Sequence, residues 1–377
     1  MAERTTLREI ARLAKVSTAT VSRVINRVPS VDPILARRIR KVIEKEEYYP
    51  NTNARALVRG HSRSLGLIVS EITNPFFPEI VQTFAKLGVQ HNYDVFLSSI
   101  DHDPRLAQTV ARQMIERSVG GVAILTFGGE APLIDILTAR NIAVFAVDTD
   151  PAGPLLKILQ IDYEHGIRQA VQHLAALGHE RIAFIGGPQE LKTAAMRKLA
   201  VEKCMEEIGF ELLPELFIDG DHTIEAGMKA LSALATMPDR PSAVLCSNDM
   251  TAIGVMRAAF DLSLNIPRDL SVIGFDDIRL AQFMIPPLTT VQMSQAEIAN
   301  LSFSALLDSL EPARQGDVRR VYPIKTNLVL RCSTALAPGC LRNRAATGGL
   351  GSRYELTLAA SMSSGTDRSG ASGATTD

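Results

Sequence analysis

The stretch Thr6-Leu-Arg-Glu-Ile-Ala-Arg-Leu-Ala-Lys-Val-Ser-Thr-Ala-Thr-Val-Ser-Arg-Val-Ile-Asn26 reads as two short helices and a tight connection. Thr6-Leu7-Arg8-Glu9 has the form of a capping box, in which the Thr6 hydroxyl accepts from the Glu9 amide and Glu9 reaches back. Leu7, Ile10, Ala11 and Ala14 recur at helical spacing. Lys15-Val16 make the connection, and Ser17 stands where a second helix, running to about Asn26, needs its cap. Val28-Pro29-Ser30 break that helix. Asp32 followed by Pro33 marks a third start, since proline suits the first helical position, and Leu35, Ile39, Val42 and Ile43 supply its buried stripe. On the second helix Val21, Val24 and Ile25 fall on one face, while Thr18, Ala19, Ser22, Arg23 and Asn26 fall on the other. The first face packs. The second is small at its start and polar beyond it, a shape that can enter a DNA major groove. There Arg23 can reach guanine O6 and N7, and the Thr and Ala methyls can meet thymine. Thr6 and Ser17, at helix N-termini, are natural phosphate contacts.

Charge separates this helix-turn-helix reading from a three-helix protein-interaction module. The net charge of the 377 residues is −1. Residues 1–63 hold 14 Lys/Arg against 6 Asp/Glu, a balance of +8; the remainder holds 26 against 35, a balance of −9. A basic head on an acidic body suits a reader of polyanions that keeps the rest of itself away from them. Cys204, Cys246, Cys332 and Cys340 show no CxxC spacing and no adjacent histidine cluster, so neither a metal site nor a disulfide framework is expected. The first thirty residues contain no apolar signal-peptide core, and no apolar run reaches the ~18 residues of a membrane span. These features lead to the expectation of a cytoplasmic, nucleoid-associated protein with no membrane partner.

Beyond residue 64 the period changes. Leu65–Ser70, Val95–Ser99, Val122–Leu125 and Ala143–Val147 read as strands, separated by helices around 76–91, 104–117 and 132–140. Arg181–Ile185, Leu216–Asp219, Ala243–Cys246 and Leu270–Gly274 continue the rhythm, which predicts two successive parallel sheets covered on both faces. Ligands of parallel sheets sit beyond the carboxyl ends of the strands. Asn74, Asp148, Asp219, His222, Asn248-Asp249 and Asp276-Asp277 stand at those ends, and such a set can hydrogen-bond a polyol. A nucleotide-dependent enzyme would need a GxGxxG or GxxxxGK[ST] loop. The chain has neither, Gly186-Gly187-Pro188 being only a turn, and no GxSxG elbow stands out. Enzyme activity and a bound cofactor are not expected. A sugar-transport protein is the remaining rival, and the basic head argues against it.

With these residues in hand, the chain resembles the lactose/galactose repressor family. The head from Thr6 to Asn26 and the segment Tyr48-Tyr-Pro-Asn-Thr-Asn-Ala-Arg-Ala-Leu57 carry the likeness most specifically. In the body, Asn74-Pro-Phe-Phe77, Asp148, Ser247-Asn-Asp249, Gly274-Phe-Asp-Asp277 and Pro287-Leu-Thr-Thr-Val291 follow in the family's order, to about residue 336. The resemblance implies an α/β protein: an all-helical helix-turn-helix domain (1–46), a hinge helix and linker (47–63), a two-lobed periplasmic-binding-protein-like body of parallel sheets flanked by helices (64–337), and a disordered tail (338–377). It implies that Thr18, Ala19 and Arg23 read base edges and that Asn51 to Arg59 form a hinge helix on DNA. Asn51 and Ala54 belong to that DNA-binding set, and Leu57 would be a wedge in the minor groove. It implies a homodimer on a palindromic double-stranded operator, governed by a sugar-like small-molecule effector at Asn74, Phe76, Asp148, Lys198, His222, Asn248 and Asp276. Three departures stand out. Lys198 matches the family's cleft arginine, with Arg197 beside it and Val201-Glu202 in place of a Gly-Phe pair. Glu47 replaces a glycine before the hinge tyrosine. Asp32-Pro-Ile-Leu-Ala-Arg37 replaces the usual Ser and Thr-Arg, so that one phosphate contact is expected to be lost or to move to Arg37 or Arg38.

Overall fold

The structure is a computed structural model that describes residues 6–25, 30–48, 63–101, 103–126, 128, 131–150, 153–310 and 320–339. Asn26, Asn51, Ala54, Leu57, most of the expected hinge and the expected tail from residue 340 lie outside the described residues. In the head, α1 (Leu7–Leu13), α2 (Thr18–Ile25) and α3 (Pro33–Lys45) close around Ile10, Val21 and Ile39, with Ala11, Ala14 and Val24 beside them. Each helix begins on the cap its sequence predicts. Thr6 Oγ1 accepts from Glu9 N at 3.3 Å, Ser17 Oγ from Thr20 N at 3.1 Å, and Asp32 Oδ1 from Leu35 N at 2.9 Å. The Glu9 carboxylate lies 3.5 Å from Arg12.

Two helix ends share one device. Lys15 (φ 51°) and Glu47 (φ 45°) both take the left-handed conformation that glycine favours. Val16 N then reaches Ala11 O and Tyr48 N reaches Ile43 O, each at 3.0 Å, closing the last turns of α1 and α3. Glu47 therefore holds a backbone that glycine favours, at a cost of ~1 kcal/mol for its Cβ.

The body holds two six-stranded sheets. β1 (Ser64–Val69), β2 (Asp94–Ser99), β3 (Gly121–Leu125), β4 (Ala143–Val147), β5 (Leu156–Asp162) and β11 (Val321–Lys325) lie parallel in the order β2-β1-β3-β4-β5-β11. Alternation directs their side chains into two cores. Leu65, Leu67, Val69 and Phe145 pack with α4 (Phe76–His91) on one face, while Ile68, Val122, Ile124 and Val144 pack with α5 (Pro104–Glu116) and α6 (Ala131–Thr138) on the other. β6 (Ile182–Ile185), β7 (Phe217–Ile218), β8 (Ala243–Cys246), β9 (Ser271–Asp276), β10 (Thr289–Gln292) and β12 (Asn327–Val329) form the second sheet, in the order β7-β6-β8-β9-β10-β12. Only β12 runs antiparallel there, among the described residues.

The two sheets are not built one after the other, as the rhythm of the eight strands read from the sequence suggests. The chain leaves the first sheet after β5 through α7 (Tyr163–Ala176). It returns from β10 through α11 (Gln295–Leu310) to β11, and crosses again into β12. Three segments therefore connect the lobes. The second lobe is completed by α8 (Lys192–Ile208), α9 (Ile224–Ala235) and α10 (Asp249–Asp261). The last two cross at a glycine contact: a Cβ at Gly227 would lie 2.1 Å from Thr251 O, and one at Gly254 would lie 2.0 Å from Ile224 O.

Candidate DNA-reading face and effector cleft

On α2, Val21 and Val24 are buried while Thr18, Ala19 and Arg23 are exposed and Ser22 is half-buried. The predicted division of α2 into a packing face and an exposed face holds for its described residues. Ser17, spent as the cap of α2, also shares a 2.9 Å hydrogen bond with the Thr20 hydroxyl. Arg38 donates through Nη2 to Ala14 O at 2.9 Å, which ties α3 to the end of α1. Both Arg37 and Arg38 are exposed, but among the described residues only the guanidinium of Arg38 makes a bond within the head.

Between the lobes lies a cleft of about 440 Å³. From the first lobe, Ser70, Asn74, Phe76 and Thr126 contribute to it; from the second come Arg197, His222, Asn248 and Asp276. Asn74 Oδ1 accepts from Phe76 N at 3.1 Å and so starts α4, whose Phe76 and Phe77 rings meet edge to face at 5.4 Å. Asn248 is the N-cap of α10: its Oδ1 accepts from Thr251 N at 2.9 Å, and its Nδ2 donates to His222 O at 3.0 Å. His222 holds a left-handed backbone (φ 67°), and its ring lies over Gly187, where a Cβ would come within 1.9 Å of Nε2. Only glycine admits the ring there.

The charged centre is Arg197 with Asp276. Arg197 Nη1 donates to Ser247 O at 2.6 Å, and Nη2 lies 3.6 Å from Asp276 Oδ1. The guanidinium carbon stacks over Phe275 at 4.2 Å and over Tyr163 at 5.5 Å. Its Nε has no hydrogen-bond partner among the described residues. Burial pushes the Asp276 carboxyl up to about 7 despite the pull of Arg197. Asp276 (φ 110°) and Asp277 (φ 55°) turn through sparsely populated backbone at the end of β9. Gln295 Nε2 donates to Asp276 O at 3.1 Å, and Arg331 Nη2 pairs with Asp277 at 2.6 Å. Gln295 opens the helix that returns to the first lobe, whereas Arg331 follows β12 in the second.

Two sequence expectations need correction. Lys198 is not among the residues that line the cleft: half-buried, it pairs with Asp219 at 3.5 Å, and among the described residues the cleft's permanent cation is Arg197. Asp148 (φ 46°) does not line it either. Its Oδ1 accepts from Ile161 N at 2.9 Å and its Oδ2 from the Tyr163 hydroxyl at 2.7 Å, so it fixes the ring beneath Arg197. Burial raises its carboxyl, against those hydrogen bonds. Asp249 and Asp277, also at strand ends, serve structure: Asp249 accepts from Ile278 N at 2.8 Å and from the Thr290 hydroxyl at 2.6 Å. The sequence reading missed Ser70, Asp101 and Thr126, although they follow β1, β2 and β3. It also missed Thr193, Glu190 and Asp221.

Comparison with known proteins agrees with both halves of this architecture. Residues 6–51 match the family "Bacterial regulatory proteins, lacI family", and residues 171–334 match the "Periplasmic binding protein-like domain". The HTH-type transcriptional repressor CytR of Escherichia coli (strain K12) is 32% identical over 335 residues, covering 88% of this chain and 97% of CytR. The ribose operon repressor of the same strain is 30% identical over 321 residues, 85% of this chain and 97% of that repressor. A crystal structure of the Lac repressor dimer bound to operator and the anti-inducer ONPF superposes with a TM-score of 0.79 at 26% identity, covering 88% of this chain and 100% of that one. The chain belongs to the lacI family of bacterial regulatory proteins and is a DNA-binding transcriptional regulator.

Proposed function

We propose that the protein is a repressor that binds a palindromic operator as a homodimer and is controlled by a small polyhydroxyl effector held between its lobes. One observation carries this reading: a single chain presents both an exposed, small-then-polar face on α2 and a cleft lined from two lobes. In the head, Thr18, Ala19, Ser22 and Arg23 read base edges, and Thr6 and Ser17 meet phosphates through their helix N-termini. Each head takes one half-site, so the operator's symmetry follows the dimer's. In the cleft, Arg197, Asp276, Asn74, Asn248 and His222 meet hydroxyls, and Phe76 meets the apolar face of the ligand. A ligand bridging both walls favours one closure of the lobes. The connecting segment that begins at Gln295, bonded to the Asp276-Asp277 turn, carries that change toward the heads. A coupling of ~1–3 kcal/mol is enough to alter operator affinity 5- to 150-fold. No helix among the described residues is long and apolar enough to cross a membrane, and the reading places the protein with the nucleoid in the cytoplasm.

The test begins with selection of duplexes from a random pool, followed by titration of sugars, sugar acids and nucleobases at fixed salt. A palindromic duplex should be enriched, and at least one compound should shift its affinity. Equal binding of selected and random DNA would refute the operator reading. Arg23→Ala should cost ~1–3 kcal/mol at a single base pair, whereas a loss spread over all sequences would make Arg23 a phosphate contact.

A further inference from the structure

We propose that this cleft takes an uncharged or amine-bearing polyol and rejects its phosphorylated or carboxylated relatives. The inference rests on the effector reading above and adds the chemical class of the ligand. Five carboxylates line the cleft: Glu71, Asp101, Glu190, Asp221 and Asp276. Against them stands, among the described residues, one permanently charged cation, Arg197. Its charge is already met by Asp276 at 3.6 Å, and Nη1 is committed to Ser247 O. Lys192, at the start of α8, is matched by Asp150 at 3.5 Å, and Lys198 by Asp219. Asp221 is held ionised, its carboxyl lowered by the Thr223 hydroxyl at 2.5 Å and the Thr223 amide at 2.9 Å.

Donors and acceptors tell the same story. Carboxylates only accept, and a hydroxyl or ammonium donates to them, while phosphate adds further acceptors to a wall already rich in them. Asn248 adds one N–H at most, because its Oδ1 accepts from Thr251 N and one Nδ2 hydrogen goes to His222 O. The guanidinium of Arg197, buried in the cleft wall and already engaged with Ser247 O and Asp276, is the cation these carboxylates face. A dianion would need several donors and would sit among like charges, a juxtaposition that discriminates strongly against the wrong ligand.

The experiment uses matched pairs on the full-length protein: D-ribose with D-ribose 5-phosphate, D-glucose with D-glucosamine and D-gluconate, and adenosine and cytidine with their 5′-monophosphates. Calorimetry gives affinity, and operator release is read in parallel. The expected result is that any pair whose uncharged member binds shows at least ~100-fold weaker binding of the anionic member. Glu190→Gln combined with Asp221→Asn should then narrow that ratio at least ~10-fold. An anionic member that binds as well as its neutral partner, or a ratio unmoved in the double variant, overturns the inference and leaves the effector reading standing. If no member of any pair binds or changes operator affinity, the effector reading falls and this inference with it.

Discussion

Replacing Arg197 with Met should destabilise the second lobe by an amount that grows with pH. The side chains are of similar bulk, so the stacking on Phe275 is largely kept, but Ser247 O loses its 2.6 Å donor and Asp276 loses its counter-charge. A buried carbonyl left without its donor costs ~2 kcal/mol at any pH. The charge term follows from the Asp276 carboxyl, which rises from its ordinary 3.8 to about 7 in the fold. Between those values the folded protein binds a proton that the unfolded chain releases, so stability falls as pH rises and levels off above 7. In the variant the carboxyl rises further, and the fall continues past 7. Below about 6 both proteins hold Asp276 protonated and differ only by the lost carbonyl bond. At about pH 8.5 the wild type has gained ~2 kcal/mol from ionising beside Arg197, which the variant lacks, giving a difference of ~4 kcal/mol. The chain has no tryptophan, so urea unfolding is followed by far-ultraviolet circular dichroism at fixed protein concentration. Adding Asp276→Asn to both proteins should abolish the growth with pH. A penalty equal at both pH values would refute the pairing of Arg197 with Asp276.

Three further outcomes follow from single contacts. Glu47→Gly should stabilise the head by ~0.5–1 kcal/mol, since glycine takes a φ of 45° without a Cβ clash; a lower melting temperature of the head would contradict the left-handed cap. Arg38→Met should lower head stability by ~1–2 kcal/mol while leaving the salt dependence of operator binding unchanged, because its donor goes to Ala14 O. Arg37→Met should instead leave stability alone and reduce the salt slope by about one, as measured by binding at several salt concentrations. Gly254→Ala should cost ~3 kcal/mol or more in urea unfolding, because its Cβ meets the backbone carbonyl of Ile224 at 2.0 Å; a neutral effect would mean that α9 and α10 can move apart.

The elements with strong local signals were legible in the sequence. Caps at Thr6, Ser17 and Asp32 and the two faces of α2 depend on neighbours a few residues away, and they fold as read. The core strands β1, β3 and β4 are apolar throughout because both faces are covered. The missed strands have mixed composition for physical reasons. β5 carries Lys157, whose ammonium is buried against Ala305 O at 2.8 Å. β11 contains Pro323, tolerated because the strand lies at the sheet's edge. Their sheet assignment depends on crossings between lobes, which no local period encodes.

The same distinction explains the cleft. The strand-end rule finds a polar residue near the ligand but not its orientation, which is why Asn74, His222, Asn248 and Asp276 face the cavity and Asp148, Asp249 and Asp277 brace its walls. Arg197 was within reach of a stricter reading. On α8 the buried positions are Thr193, Ala194, Arg197, Ala200, Val201 and Cys204, a helical stripe in which one member is charged. Lys198 lies one residue on, ~100° around the helix, and falls outside that stripe. A matched position in a motif names a residue type, whereas the stripe fixes the direction of the side chain. An arginine inside such a stripe must find its partners within the fold, and here those partners are Ser247, Asp276 and two aromatic rings. The charge that the cleft offers a ligand is therefore largely consumed before any ligand arrives.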